Sequence, residues 1–345
     1  MASQILYRNA AFSAGVDGYH TYRIPAILVT LKGTVLLFCE GRRNGQGDHG
    51  DIDLLLKRST DQGQTWCSQQ VVQAEPGDIT MGNPCPILDR ESGTIHLLFT
   101  RDNLRLFHTQ SVDDGVSWSS PTEWTSILNA MDYDWKRIAT GPVHGIQNRK
   151  GWLLAPVWTS RKRIAEIQEN PADRSYRAGS LYSDDGGKTW QMGGLVPDTL
   201  SCLNECSVAE RQDGSLLLNI REHRGGYRVF SESFDGGQSW SNPQKDKNLP
   251  CPTCQGSMVE WGETLLFLNP AVSATEGYQP GNRRNLVLRQ SPDGGQSWND
   301  LLLLEPGPAG YSDLYPLSEK KIILTLETGE KEYQERIDCA VIQCL

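Results

Sequence analysis

The sequence predicts an all-β protein, a six-bladed β-propeller of four-stranded antiparallel blades. Two repeats predict this fold: an eight-residue motif that occurs five times, and an apolar run that occurs six times. A third observation agrees with them, because no amphipathic helical period longer than about ten residues stands out along the chain. Repeated four-stranded units that close into a ring are the hallmark of propellers.

The eight-residue motif, called the octad below, reads Ser-x-Asp-x-Gly-x-(Thr/Ser)-Trp. Its five copies are Ser59–Trp66, Ser111–Trp118, Ser183–Trp190, Ser233–Trp240 and Ser291–Trp298. The carboxylate can accept hydrogen bonds from turn amides, the glycine supplies a positive φ, and the tryptophan packs back beneath the loop. We therefore interpret each octad as the turn between the third and fourth strands of a blade, on the rim away from any chemistry.

The second repeat marks the second strand of each blade. Its six copies begin at Gly33, Gly93, Gly151, Gly214, Gly262 and Lys320, and each rises into a β-rich apolar stretch. From Thr34 to Lys321 five steps cover 287 residues, a mean spacing of about 57. Another apolar segment precedes each copy, so the repeating unit is a β-meander.

The spacing of the repeats also decides the domain organisation. At roughly 150 residues per domain, 345 residues suggest two domains. Six units account for nearly the whole length instead, so we predict a single propeller domain over residues 1–345. The last unit is one strand short, and the early segment QILYRNAAF can supply that strand. The termini would then close one blade and remove open sheet edges.

Composition excludes several classes of function. The chain has 33 basic and 42 acidic side chains and a net charge of −9, which argues against a nucleic-acid partner. No apolar run approaches the roughly 20 residues of a transmembrane segment. No secretory signal is visible at the start, so we expect a cytoplasmic protein unless a leader has been removed. The pairs Cys202/Cys206 and Cys251/Cys254 could be read as a zinc site, but reduced thiols are the preferred interpretation.

The propeller topology predicts which residues share the rim opposite the octads. Strands one begin there, strands two end there and strands three start there. The residues brought to this rim are Arg23, Arg42, Arg43, Asp48, Asp51, Asp102, Glu205, Arg221, Arg283, Tyr311 and Glu327. Such a set of arginines and acids around a tyrosine indicates a functional site rather than ordinary surface.

These residues carry a family resemblance that covers essentially the whole chain. The motifs are Tyr22-Arg23-Ile24-Pro25, Gly41-Arg42-Arg43 leading to Asp48, Asn83-Pro84, Cys254-Gln255-Gly256-Ser257, Tyr311-Ser312-Asp313-Leu314 and the five octads. In combination they resemble the non-viral exo-α-sialidases (neuraminidases). The resemblance implies a six-bladed propeller, a sialic-acid substrate and chemistry that needs no cofactor and no metal.

By this resemblance Arg23, Arg221 and Arg283 form a triad that binds the substrate carboxylate. Sialic acid carries a carboxylate on its anomeric carbon, and guanidinium groups bind such groups with paired charge-assisted hydrogen bonds. Arg284 is adjacent to Arg283 and is the alternative third member. The spacing back from the last octad favours Arg283.

Three further residues resemble the catalytic group. Tyr311 resembles the nucleophile, since a neutral phenol is not repelled by the substrate carboxylate as a carboxylate would be. A phenol is a weak nucleophile at neutral pH and needs a base, which Glu205 resembles. Asp48 resembles the general acid/base, with Asp51 and Asp53 following it in the same glycine-rich segment.

Four more positions are implied with supporting roles. Glu327 is expected to orient Arg23, and Arg43, Asn83 and Gln255 are expected to line the substrate pocket. The function implied is that of a retaining exo-α-sialidase acting on sialylated oligosaccharides, glycoproteins or glycolipids through a tyrosyl glycosyl-enzyme. A trans-sialidase and a non-catalytic sialic-acid-binding propeller are the alternatives. The sequence leaves the oligomeric state open.

Overall fold

The structure is a computed structural model that describes residues 3–163, 165–166, 175–223, 225–272 and 282–344. Strands account for nearly all of the regular structure, and one short 3-10 helix spans Thr125–Ala130. Within these ranges we find no helix with the length and apolar character needed to cross a bilayer.

Two separate antiparallel blades follow the first strand of the chain. Strand β1 (Gln4–Ser13) opens the chain and belongs to a sheet described below. The first blade consists of β2 (Thr21–Val29), β3 (Val35–Arg42), β4 (Ile52–Ser59) and β5 (Gln70–Gln73). The second consists of β6 (Met81–Leu88), β7 (Ile95–Arg101), β8 (Arg105–Ser111) and β9 (Thr122–Glu123). In both blades the strands pair in chain order.

Two more blades follow, and the third has a first strand in two pieces. It comprises β10 (Arg137–Thr140), β11 (Ile146–Gln147), β12 (Leu153–Ser160), β13 (Tyr176–Ser183) and β14 (Gln191–Leu195). Strands β10 and β11 both pair with β12. The fourth blade comprises β15 (Leu203–Glu210), β16 (Leu216–Glu222), β17 (Gly226–Ser233) and β18 (Gln244–Cys251).

The remaining strands form one seven-stranded sheet. They are β19 (Ser257–Trp261), β20 (Thr264–Pro270), β21 (Arg284–Ser291), β22 (Asn299–Ser318), β23 (Lys321–Thr328) and β24 (Arg336–Gln343), together with β1. The order is β1-β24-β23-β22-β21-β20-β19. Strand β1 pairs antiparallel with β24, from Gln4 opposite Gln343 to Ser13 opposite Arg336.

The all-β propeller arrangement is confirmed, but the described strands form four separate blades and not the six that the sequence predicts. Four sheets stand as separate blades among the described strands, and the fifth sheet is larger. The cause is β22, whose 20 residues run without interruption. Its first half pairs with β21 and its second half, from Ala309, pairs with β23, so it joins strands that the sequence assigns to different units.

The octads lie between third and fourth strands, as predicted. In the first blade the Asp61 carboxylate accepts hydrogen bonds from the Thr65 amide at 2.9 Å and the Thr65 hydroxyl at 2.6 Å. The Gly63 amide donates to Ser59 at 2.8 Å, and Gly63 has a φ of 92°. The octads that start at Ser111, Ser183, Ser233 and Ser291 repeat this bonding.

The hydrophobic core lies between neighbouring blades. One cluster joins Leu28 and Leu36 of the first blade to Ile95, Leu97 and Phe99 of the second. All residues of β2, β3, β12, β15 and β16 are buried. Strands covered on both faces read as continuous apolar runs rather than alternating ones. The six runs found in the sequence have this origin.

Candidate active site

First strands are irregular on the rim opposite the octads. The pairing register shifts between Arg23 and Ala26 in β2, between Gly82 and Cys85 in β6, and similarly at the starts of β15 and in β22. Ile24, a β-branched residue, has a φ of 58° within the first of these irregularities. Bulges bend a strand and re-aim its side chains, and left-handed β-branched residues are strained and rare. The backbone irregularities therefore concentrate at this rim, where they can re-aim side chains.

Tyr311, Glu205 and Arg221 form a closed hydrogen-bond network at this rim. The Tyr311 hydroxyl donates to Glu205 Oε1, and Arg221 Nη1 donates to Glu205 Oε2. Arg221 Nη1 also donates to the Tyr311 hydroxyl at 2.9 Å. All three side chains are buried. Glu205 and Arg221 come from the neighbouring strands β15 and β16, and the propeller brings Tyr311 of β22 to them from 90 or more residues away along the chain.

Two more guanidinium groups stand over the Tyr311 ring. The Cζ atom of Arg23 lies 5.1 Å from the ring centroid, and that of Arg283 lies 5.3 Å from it. Arg23 Nε donates to Glu327 Oε1 at 2.7 Å, and the Ile24 amide donates to the same oxygen at 2.9 Å. The second oxygen of Glu327 accepts from the Tyr311 amide at 2.9 Å. Glu327 thus orients Arg23 and the Tyr311 backbone together.

The network leaves donors available to an anion. Arg283 donates to two neutral oxygens, the Tyr333 hydroxyl at 3.3 Å and the Thr253 carbonyl at 3.1 Å. Arg221 Nε is buried and has no hydrogen-bond partner among the described residues. Three guanidinium groups that surround one phenol and keep N–H donors available suit a ligand that carries a carboxylate.

The electrostatics keep the Tyr311 phenol neutral. Burial is the main cause that raises the pKa of Tyr311 well above its usual range, and the negative charge of Glu205 adds to it. Arg221 and Arg283 act in the opposite direction. A neutral phenol hydrogen-bonded to a carboxylate can become a nucleophile if its proton passes to that carboxylate.

Comparison with known proteins identifies the family of this chain. A family model described as BNR repeat-like domain matches residues 33–324. A sialidase of Micromonospora viridifaciens is 32% identical over 91% of this chain and 51% of its own length. Sialidase-2 of Rattus norvegicus is 31% identical over 90% of this chain and 87% of its own length. The chain belongs to the sialidase family.

Solved structures of the family have the same fold. The Hadza microbial sialidase Hz136 superimposes with a TM-score of 0.82 and is 28% identical. That alignment covers 96% of this chain and 68% of the solved one. The chain spans about half the length of the Micromonospora sialidase, which is therefore a larger protein than the propeller compared with it.

The arginine cluster around Tyr311 contains Arg283 rather than its neighbour Arg284. Arg283 lies just before β21 and faces Tyr311 and Tyr333. Arg284 is the first residue of β21, is exposed and pairs through its backbone with Pro308. Adjacent residues at a strand start project in opposite directions, so only one of them can reach the rim centre.

Asp48 lies at the edge of the site, on the loop after β3. Its side chain is 75% exposed, and Asp48 Oδ1 accepts a hydrogen bond from Arg42 Nη1 at 2.8 Å. Desolvation opposes ionisation here, but the positive charges of Arg42 and Arg23 outweigh it and lower the pKa of Asp48 to about 2. The influence of Arg23 places Asp48 within electrostatic reach of the triad.

Arg43 is not brought together with the other predicted site residues. It donates to Asp53 at 2.5 Å, pairs with Asp51 at 3.3 Å and stacks on Tyr19 with its Cζ 4.7 Å from the ring centroid. Asp51 and Asp53 are thereby engaged away from Tyr311.

Asn83 and Gln255 both make hydrogen bonds beside the site, Asn83 through its backbone amide and Gln255 through its side chain. The Asn83 amide donates to Glu40 Oε1 at 3.0 Å, and Asn83 has a φ of 57°. Gln255 is 1% exposed, so it has little surface to offer a substrate. Its Nε2 donates to the Ser312 carbonyl at 3.0 Å, and its Oε1 accepts from the Ser312 amide at 3.0 Å. Gln255 fixes the strand beside Tyr311.

Sequence reasoning missed the roles of Arg42, Glu40 and Tyr333. Glu40 accepts from Arg42 Nη2 at 2.7 Å, so the pair anchors the Asp48 loop. Tyr333 lies in the turn from β23 to β24 and contacts Arg23 and Arg283. A signal for Tyr333 existed, because it occupies the loop into a third strand, as Asp48 and Arg283 do.

Three of the four cysteines of the two pairs make hydrogen bonds that involve the protein backbone. Cys251 Sγ donates to the Cys254 carbonyl at 3.3 Å and accepts from the Cys254 amide at 3.4 Å. Cys206 Sγ donates to the Val157 carbonyl at 3.4 Å. The described ranges contain no group of three or more His, Cys, Asp or Glu side chains arranged to hold a metal ion.

A cavity of about 520 Å³ opens at the other ends of the same first strands. Glu210, at the end of β15, lines it together with His144 and Tyr315. Glu205 and Glu210 are thus buried carboxylates at the two ends of one strand, one in the arginine cluster and one away from it.

Proposed function

We propose that this chain is a retaining exo-α-sialidase that hydrolyses terminal sialic acids from oligosaccharides, glycoproteins or glycolipids. The observation that carries the proposal is the convergence of Arg23, Arg221 and Arg283 on Tyr311, whose hydroxyl is bound to Glu205. This combination offers a carboxylate-binding cluster next to an activated neutral nucleophile. Family membership and sialidase relatives over most of the chain support it.

The first chemical step forms a glycosyl-enzyme. The three arginines bind the sialic-acid carboxylate and hold the anomeric carbon near the Tyr311 oxygen. That oxygen attacks the anomeric carbon as the bond to the leaving oxygen breaks. The phenolic proton passes to Glu205 Oε1, and Asp48 protonates the leaving oxygen.

The second step returns the enzyme to its starting state. Water attacks the anomeric carbon from the face that the leaving group vacated, and Asp48 takes a proton from it. The bond to the Tyr311 oxygen breaks, and Glu205 returns the proton to the phenol. Two displacements at one carbon retain its configuration.

The low pKa of Asp48 shapes its role as the acid. With a pKa of about 2 the carboxyl is ionised in the free protein. A bound substrate carboxylate would neutralise charge around Arg23 and desolvate the loop, and both effects raise the pKa of Asp48. Substrate binding thus creates the acid that the reaction needs.

A solved structure of a distant fold relative is consistent with the covalent step. A Trypanosoma rangeli sialidase with a TM-score of 0.77 has been solved with 2,3-difluorosialic acid as a covalent intermediate. It is 19% identical to this chain, so the likeness is one of fold alone. The proposal rests on the geometry around Tyr311.

The experiment is release of a fluorogenic phenol from an α-sialoside by the unaltered protein, by Tyr311→Phe and by Asp48→Ala. We expect Tyr311→Phe to lose most activity, and Asp48→Ala to lose less, because a phenol leaving group needs little protonation. Unchanged rates in both would overturn the assignment. NMR of the first product should show the α anomer, whereas the β anomer would contradict retention. Added lactose distinguishes hydrolysis from transfer, because a transferase would yield sialyllactose.

We also propose that the seven-stranded sheet acts as two blades, which completes a six-bladed single domain over residues 1–345. The change of partner midway along β22 supports this division. First strands from all around the ring, including the second half of β22, line the central cavity. A single domain should unfold in one cooperative transition, and two resolved calorimetric transitions would count against it.

A further inference from the structure

Tyr333 reaches two of the three arginines from a loop with no assigned role. Its ring centroid lies 5.3 Å from Arg23 Cζ and 5.2 Å from Arg283 Cζ. Its hydroxyl accepts a hydrogen bond from Arg283 Nη1 at 3.3 Å. Both guanidinium groups therefore contact two tyrosine rings, those of Tyr311 and Tyr333.

The Tyr333 ring lies where it can offset the repulsion between the Arg23 and Arg283 guanidinium groups. Arg23 and Arg283 must lie close enough to share one carboxylate, yet before the ligand arrives their like charges repel. Glu327 balances Arg23, whereas among the described residues the hydrogen bonds of Arg283 go to the neutral oxygens of Tyr333 and Thr253. The negative face of an aromatic ring attracts cations without neutralising them. Tyr333 can hold both groups and leave their charge available to the ligand.

The loop is built to bring this ring to the site. The Glu335 carboxylate accepts from the amides of Glu330, Lys331 and Glu332 at 2.9, 2.8 and 3.0 Å. Gly310 lies beneath the ring: a Cβ atom there would be 2.5 Å from Tyr333 Cδ2 and 2.3 Å from Glu327 Oε2. A larger residue at position 310 would displace either the ring or the carboxylate that orients Arg23.

The same loop touches the loop that carries Asp48. Gln46 Nε2 donates to Glu332 Oε2 at 3.4 Å, and Arg42 Nη1 donates to the Gln46 carbonyl at 2.5 Å. The Tyr333 loop therefore borders the acid loop on one side and the arginine cluster on the other.

We infer that Tyr333 is a positioning residue for carboxylate recognition. Its ring face sets the separation of the Arg23 and Arg283 guanidinium groups, and its hydroxyl fixes the rotation of Arg283. The inference deepens the proposed sialidase function and rests on it for the identity of the substrate carboxylate.

The test compares Tyr333→Leu, which removes the ring, with Tyr333→Phe, which keeps the ring and removes the hydroxyl. For hydrolysis of the α-sialoside, losing two cation–ring contacts should raise KM about 10- to 100-fold in Tyr333→Leu, with kcat within about threefold. Tyr333→Phe should raise KM only about two- to fivefold, because the cation–ring contacts remain. Tyr182→Leu is the matched control, a half-buried strand tyrosine beside an octad, and should leave KM unchanged.

Calorimetric binding of a 2,3-unsaturated sialic-acid analogue and of its methyl ester separates positioning from general damage. The ester keeps the sugar but has no negative charge. We expect Tyr333→Leu to weaken binding of the acid about tenfold or more and to change binding of the ester little, since the positioned arginines act on the carboxylate. An equal loss for acid and ester, or a fall in kcat at constant KM, would overturn the inference.

The outcome remains distinguishable from failure of the proposed function. If the unaltered protein binds the analogue but releases no phenol, the sialidase proposal fails and the acid-to-ester comparison still tests Tyr333. If Tyr333→Leu does not fold, Tyr333→Phe provides the test. An unchanged KM together with an unchanged preference for the acid over the ester would then contradict the role of the Tyr333 hydroxyl in fixing Arg283. Thermal melts establish which case applies.

Discussion

The two rims of the propeller use the same strands but satisfy their polar groups in different ways. On the octad rim each aspartate is bonded within its own turn, as Asp113 is to the Ser117 amide at 2.9 Å and the Ser117 hydroxyl at 2.5 Å. On the opposite rim Arg23, Arg221 and Arg283 bond to distant parts of the chain, namely Glu327, Tyr311 and Tyr333. Arg221 Nε has no partner among the described residues. Repetition with local satisfaction marks a structural element, and single residues with unfilled capacity mark a site.

Two aspartates show the difference. Asp113 has its pKa lowered to about 2, first by the hydroxyl of Ser117 and then by its amide. Asp48 has its pKa lowered to about 2 as well, but by the charges of Arg42 and Arg23 acting against desolvation. Hydrogen bonds within an octad turn do not change when a ligand binds at the other rim, whereas the electrostatic field of the arginine cluster changes when an anion binds. Only Asp48 is suited to gain a proton during a reaction.

The largest difference in kcat is expected between substitutions at the two ends of β15. Glu205→Gln removes the proton acceptor of Tyr311, and loss of such a base should lower kcat about 10²- to 10⁴-fold. Glu210→Gln, a buried carboxylate at the far end of the same strand, is the control and should keep kcat within about twofold, as it lies away from the reacting atoms. Steady-state hydrolysis of the fluorogenic sialoside measures both. Comparable losses in the two variants would show that the distinction between the ends of the strand is false.

The next largest effect is the loss of hydrolysis rate in Asp48→Asn, which should depend on the leaving group of the substrate. Asp48→Asn cannot donate a proton, so hydrolysis of sialyllactose should fall about 10²- to 10⁴-fold, while release of an acidic phenol should fall far less. Asp113→Asn should change neither rate. The ratio of the two losses, measured by sialic-acid release, is the informative quantity. Equal losses for both leaving groups would exclude Asp48 as the general acid.

A smaller effect separates Arg42 from Arg43. Arg42→Gln removes a positive charge 2.8 Å from Asp48, so the pKa of Asp48 should rise by about one to two pH units. A higher pKa keeps the acid protonated to higher pH, and the alkaline limb of kcat should therefore move upward. Arg43→Gln should leave the limb in place. If the pH profile moves with Arg43 instead, the placement of the Asp48 loop is wrong.

The smallest effect is expected on the octad rim. Asp113→Asn should lower Tm by about 1–4 °C, the effect of losing one or two hydrogen bonds in a chain of this size, without changing kcat/KM. The folded-state pKa of Asp113 is depressed, so its contribution to stability is present above its ordinary value near 4 and is lost as pH falls towards about 2. The variant should thus show a shallower fall of Tm between pH 4 and pH 2. An unchanged slope would mean that the octad carboxylate does not stabilise the fold.

Much of the candidate site could be predicted because strand polarity in a meander places strand ends on defined rims. Tyr311, Glu205 and Arg221 lie together as that argument requires. Gln255 could not be assigned correctly, because burial decides whether an amide faces substrate or backbone. The choice between Arg42 and Arg43 depended on which side of a strand end faces Asp48, and adjacent side chains point to opposite sides.

The sequence by itself determined the all-β class, the octad turns and the strands that carry the site, because these follow from local periodicity and turn chemistry. Tertiary structure alone decided that β22 runs through two units, that Arg42 pairs with Asp48, and that Tyr333 reaches Arg23 and Arg283. Those outcomes depend on backbone irregularities at the rim and on contacts between distant segments. Spacing along the chain carries no information about either.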